Sequence, residues 1–150
     1  MSDLRSLYQE VILDHNKNPR NYRKIDGADE VVEGYNPLCG DHYTIYVKFD
    51  GEQISDISFE GTGCAISRAS ASVMSTVVKG MTKGDAQRLF DRFHRLVTGD
   101  EQEKRHVEEL GKLAVFGGVS EFPARVKCAI LAWHSLRSAL KGDKSTVSTE

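Results

Sequence analysis

The sequence is sparing with the residues that make small proteins rigid by covalent means. Three cysteines and three prolines occur in 150 residues, and three thiols are too few, and the wrong parity, for a disulfide framework. No run of about 18 apolar residues exists, so no stretch reads as a membrane-crossing helix. Met1 to Glu10 is polar and charged, unlike the basic-then-apolar pattern of a secretory leader. Positive charge is not in excess either: 20 Lys plus Arg against 22 Asp plus Glu leave a formal net charge of -2. Such a chain has no field with which to displace counterions from a phosphate backbone or to hold an acidic lipid surface. These absences predict a soluble cytoplasmic protein that takes neither nucleic acid nor membrane as a partner.

What is present is an ordinary globular composition, 39% hydrophobic and 28% charged. A chain of this length buries about 70% of its unfolded surface in one core, so folding needs no metal as a staple. Any metal site then needs another reason. The reading is one domain over residues 1–140, followed by a polar, flexible tail over 141–150.

Leu4, Leu7, Tyr8, Val11 and Ile12 recur at helical spacing, and Asn18-Pro19 ends that pattern. Val31 and Val32 suggest a strand running into Gly34-Tyr35. Tyr43, Ile45, Val47 and Phe49 alternate with polar neighbours, which predicts a half-buried strand. Asp50-Gly51 marks a hairpin, and Ile54 is out of phase with Ile57 and Phe59, as a bulge would make it. After Gly61-Thr62-Gly63-Cys64 the period becomes helical and Gly80 closes the helix. Thr82 with Asp85 resembles a cap for the next helix, which ends at Gly99. The charge run Asp100 to Glu109 reads as a solvated face, and the apolar stretch Leu113 to Val119 has no clear period. Pro123 suits the first turn of a last helix with Ala129, Trp133, Leu136 and Leu140 buried. The predicted fold class is α+β, a small antiparallel three-stranded sheet with helices packed on one face.

Each cysteine falls at an element boundary rather than inside an apolar stripe. Cys39 lies in a loop beside Gly40, whose conformational freedom lets Cys39 and Asp41 face one point. Cys64 opens a helix, where unpaired amides and the helix dipole stabilise a thiolate. Cys128 lies near the start of the last helix. Three thiolates and one carboxylate suit tetrahedral zinc. With Zn2+ they carry a formal charge of -2, which asks for nearby cations, and Arg125 and Lys127 are placed for that. Taken singly, however, a cysteine is more often a small buried hydrophobe, and these separations match no compact zinc-finger spacing. Core, ligand and nucleophile all stay open for the three thiols on this reading. His42 neighbours the loop and faces either the site or water, and the other histidines receive no role.

The segments Asn36-Pro37-Leu38-Cys39-Gly40-Asp41, Gly61-Thr62-Gly63-Cys64-Ala65-Ile66-Ser67 and Arg125-Val126-Lys127-Cys128 resemble the three cysteine motifs of the IscU/NifU-like iron–sulfur cluster assembly family. Tyr8, Asp14, His15, Asn18, Pro19 and Arg20 resemble its opening segment. Two departures from the scaffold members direct the resemblance toward the SufU branch. Lys127 stands where scaffolds have a histidine ligand, and residues from Gly80 to about Asp100 resemble that branch's extra segment. Phe122-Pro123-Ala124-Arg125 also departs from the motif by which scaffolds engage their chaperone.

The resemblance implies a zinc-dependent sulfurtransferase with Cys39, Asp41, Cys64 and Cys128 as ligands and Cys39 as the sulfur acceptor. The implied partners are a SufS-type, pyridoxal-phosphate-dependent cysteine desulfurase and downstream iron–sulfur assembly machinery. Arg125 and Lys127 are then cations that hold the anionic site or meet the docked partner. The alternative is a scaffold on which a transient [2Fe-2S] cluster is assembled by the same thiols.

Overall fold

The structure, a computed structural model, describes the backbone of residues 2–142 and 147–148 and the side chains of residues 7–142 and 147–148. Helix α1 spans Ser2–Lys17. Tyr8, Val11 and Ile12 pack against the core as their spacing predicts, Leu7 is exposed, and Leu4 lies outside the described side chains. Strands β1 (Glu30–Asn36), β2 (Asp41–Asp50) and β3 (Gln53–Thr62) follow as an antiparallel meander.

The out-of-phase Ile54 is the bulge it suggests. Lys48 pairs with Asp56 but Phe49 pairs with Ile54, and the extra residue Ser55 donates its hydroxyl hydrogen to the Lys48 carbonyl at 3.1 Å. The outer edge of β3 is not left open. Phe59 donates its N–H to Asn21 O and accepts from Arg23 N–H, each at 3.1 Å, so the segment after α1 blunts an edge that would otherwise invite pairing.

Helix α2 (Ala65–Val78) packs on β3 and on α1, and α5 (Pro123–Lys141) lies across β1 and β2. Helix α3 (Lys83–Val97) packs on α5, with Phe93 stacked on Trp133 at 4.9 Å and met edge-on by Phe116 at 5.8 Å. Thr82 caps α3 by accepting from Asp85 N–H, and Pro123 sits in the first turn of α5, both as predicted. Helix α5 is buried nearly all round, from Cys128 to Ala139, so it forms the centre of the core rather than an amphipathic cover.

Two expectations need correction. The sheet has four strands in the order β3-β2-β1-β4, because β4 (Val147–Ser148) pairs parallel with Gly34 and Tyr35 of β1. Those residues fall within the stretch read as a tail, and a two-residue strand is too short to leave a periodic signal. Residues 143–146 and 149–150 of that stretch lie outside the described residues. The charge run is not wholly solvated: within α4 (Glu101–Arg105), Glu103 is buried and pairs with Arg92 at 3.1 Å and Arg95 at 3.2 Å. The unplaced apolar stretch belongs to a 3-10 segment over Val107–Glu121, broken at Gly111 and burying Leu113, Phe116 and Val119. No helix of the described residues is long and apolar enough to cross a membrane.

Candidate metal centre

The three cysteine segments meet at one end of the sheet. Asn36 and Asp41 are the last cross-strand pair of β1 and β2, and Pro37 to Gly40 form the loop that joins them. Gly40 sits at φ 72° with nothing near its missing Cβ, a left-handed turn that lets Cys39 stand at the loop tip while Asp41 turns inward. Cys64 is the N-cap of α2, and Cys128 lies in the second turn of α5.

Sulfur meets sulfur across 89 residues of chain: Cys39 Sγ and Cys128 Sγ are 3.3 Å apart. One donor atom each from Cys39, Asp41 and Cys128 lies within 4.8 Å of the others. Cys64 stands just outside that trio. Its sulfur accepts from Ser67 N–H at 3.4 Å in a helix-capping contact, while its own N–H donates to Asp41 Oδ1 at 2.9 Å. It is nonetheless electrically part of the group. Hydrogen bonding with Cys128, followed by the Ser67 N–H, brings the Cys64 thiol down to about 5 against the opposing effect of burial. Cys128 is driven strongly the other way, first by Cys64 and then by burial. The two thiols are thus pushed in opposite directions, Cys64 down and Cys128 up.

Asp41 is fully buried, yet no Lys, Arg or His among the described residues forms an ion pair with it. Its oxygens accept from neutral donors only, Cys64 N–H and the Asn36 amide at 3.1 Å. A buried carboxylate without a cation is costly. Beside three thiols it forms a donor set that fits a soft divalent ion, and zinc accepts this mixture.

Arg125 reaches the sulfurs of both Cys39 and Cys128 at 4.0 Å, and its charge is reinforced by Cys128 first and then by Cys64. Lys127 makes none of the described contacts with these groups. His42 points away, exposed, 3.2 Å from Glu33 and edge-on to Tyr35. It meets water.

Three polar residues beside the sulfurs were given no role by sequence reading. Asn36 is fully buried, and Tyr43, buried as well, bonds Ser67 Oγ at 2.9 Å. Ser67 in turn donates to the Cys64 carbonyl at 3.0 Å. A Cβ on Gly63 would lie 2.6 Å from both Asp41 Oδ1 and Tyr43 Oη, so only glycine lets this wall close. The signal for Asn36 was alternation: it shares the inward parity of Val32 and Gly34, and an inward asparagine at a strand end needs partners.

Comparison with known proteins matches residues 7–129 to the NifU-like N-terminal domain. The chain belongs to that family. Among members and relatives of the family, it is 44% identical to the iron-sulfur cluster assembly scaffold protein IscU of Streptococcus pyogenes serotype M1, over 94% of this chain and 87% of that one. It is 40% identical to the zinc-dependent sulfurtransferase SufU of Bacillus subtilis strain 168, over 93% and 92%. A crystal structure from Fervidobacterium islandicum AW-1, described as an iron-sulfur cluster assembly scaffold protein for the SUF system, superposes with a TM-score of 0.79. It shares 40% identity, covering 87% of this chain and 94% of that one.

Proposed function

We propose that this chain is a zinc-dependent sulfurtransferase of iron–sulfur cluster assembly, which takes sulfur from a SufS-type cysteine desulfurase onto Cys39 and hands it on to downstream assembly machinery. The observation that supports it best is the convergence of Cys39, Asp41 and Cys128, with Cys64 N–H bonded to Asp41, around a carboxylate that no cation among the described residues neutralises. Cys39, Asp41, Cys64 and Cys128 would hold the ion. Zinc, when bound, supplies the missing positive charge and favours the thiolate forms.

The chain's own residues account for the transfer. Cys39 stands at the loop tip, half-buried, between the exposed Leu38 (65%) and the Arg125 side chain, with Phe122 (63%) also exposed nearby in sequence. A protein partner can reach it. The Cys39 thiolate attacks the outer sulfur of the desulfurase's cysteine persulfide. One S–S bond forms at Cys39 as the partner's S–S bond breaks, and the partner's cysteine leaves as a thiolate. The proton of the persulfide stays with the transferred sulfur, so no oxidant or reductant is consumed. Arg125, 4.0 Å from the Cys39 sulfur, stabilises the negative charge on Cys39 before attack. The pyridoxal phosphate belongs to the partner.

Mass spectrometry after incubation with a desulfurase and cysteine tests this reading. We expect one added sulfur on Cys39 and faster desulfurase turnover, with Cys39→Ser folded but inert in both respects. Stimulation left intact in that variant would remove Cys39 as acceptor. The scaffold reading is favoured by the kinship to an IscU scaffold. Purification giving an iron–sulfur chromophore in place of about one zinc would select it.

A further inference from the structure

Asn36 is fully buried at the end of β1, and its amide nitrogen faces two of the proposed ligands at once: Asp41 Oδ2 at 3.1 Å and Cys128 Sγ at 3.6 Å. Its carbonyl oxygen, also buried, has no hydrogen-bond partner among the described residues. An asparagine kept only for the fold would satisfy both ends of its amide, because leaving a buried acceptor unpaired is costly. Here the acceptor end goes without, and the donor end serves an anion and a sulfur. The residue lies in neither ligand segment of α2 nor α5, but it is the cross-strand partner of Asp41 itself.

We infer that Asn36 is a positioning residue for the metal centre. Resting on the zinc-site reading above, the inference is that its two N–H groups fix the Asp41 carboxylate and the Cys128 sulfur in one arrangement before an ion arrives. Asp41 is thereby held from two sides, by Asn36 at Oδ2 and by Cys64 N–H at Oδ1. The N–H facing Cys128 also withdraws electron density from that sulfur once it is a thiolate. This polarisation and preorganisation are what a group outside the ligand set contributes to a metal site.

The test uses the full chain with Asn36→Leu and Asn36→Ala. Zinc affinity is measured by competition with a chromophoric chelator, Co(II) is substituted for spectroscopy, and thermal unfolding is followed without metal. Asn36→Leu removes the orphaned oxygen along with the donors, so the metal-free protein should melt within a few degrees of wild type. Its zinc affinity should fall about 10–100-fold, and its sulfur-to-cobalt charge-transfer band should move to longer wavelength because Cys128 has lost its N–H donor. Asn36→Ala should show the same affinity loss. Affinity within about twofold of wild type in a folded variant would overturn the inference while leaving the zinc reading intact. Metal-free protein that no longer folds in either variant would also overturn it, by making Asn36 a residue of the fold. Wild type that binds no stoichiometric zinc would bring down this inference together with the reading beneath it.

Discussion

Asp41 and Glu103 are the two buried carboxylates among the described residues, and the chain surrounds them in opposite ways. Glu103, in α4, accepts from Arg92 and Arg95 of the preceding helix, and Arg92 continues to Glu109 at 3.0 Å. Its charge is neutralised within the chain, so the group fastens α4 to α3 and offers nothing to a ligand. Asp41 receives neutral N–H groups, has no ion-pair partner among the described residues, and stands among thiols. Equal burial therefore carries different meanings. A compensated carboxylate is a fastening, whereas an uncompensated one with sulfur neighbours is a place for a cation from outside.

Removing each carboxylate should separate the two roles. The larger effect is expected at Asp41. With one ligand gone, Asp41→Ala should bind zinc about a hundredfold more weakly, which removes about 2.7 kcal/mol of zinc-dependent stabilisation at saturating metal. Urea unfolding with and without zinc measures that increment directly, and an increment equal to wild type would take Asp41 out of the ligand set. Glu103→Gln should cost about 2 kcal/mol, because Arg92 and Arg95 lose a charged acceptor but are themselves partly exposed and can turn to water. Its zinc increment should match that of wild type. If the metal-dependent gain shrank in Glu103→Gln, the two ends of the molecule would not be independent, and the contrast drawn above would fail.

The two regions also differ in how much of them the sequence exposes. The hairpin at Asp50-Gly51, the bulge at Ser55, the cap at Thr82 and the proline at the start of α5 are legible because each is fixed by a few adjacent residues. The sulfur end was legible by resemblance and by boundary position, but spacing alone could not bring Cys128 to Cys39, which is a tertiary contact between a loop and a central helix. The lobe of α3, α4 and the 3-10 segment was read least well. Glu103 sits in a run of charges whose composition suggests water, and only the return of α4 against Arg92 and Arg95 buries it. Gly111, at φ 57°, resets the 3-10 segment midway, so its apolar residues follow no single period. Strand β4 depends on a partner, β1, more than a hundred residues earlier in the chain.

The smallest effect expected is a pH dependence confined to the lobe side. His134 of α5 lies against Phe90 at 5.3 Å and His94 at 6.0 Å, with Arg137 over the Phe90 ring. Burial first, then Arg137 and His94, lowers its imidazole to about 4 from an ordinary value of 6.5. The fold thus holds the neutral ring, while the unfolded chain takes up a proton near pH 6.5. Stability from this group is complete above pH 6.5, falls as pH drops from there toward about 4, and is flat below. Between pH 7 and pH 5 the loss should be about 1–2 kcal/mol. In His134→Leu the slope should flatten by that amount, with the contribution of His15, lowered by its own burial against Ser72, remaining in both proteins. Because His134 belongs to the half of the molecule that needs no ion, the difference between the two slopes should be the same with zinc and with chelator. A difference present only in the metal-loaded protein would mean that protonation in the α3–α5 packing reaches the sulfur end, and that the two halves answer to one another after all.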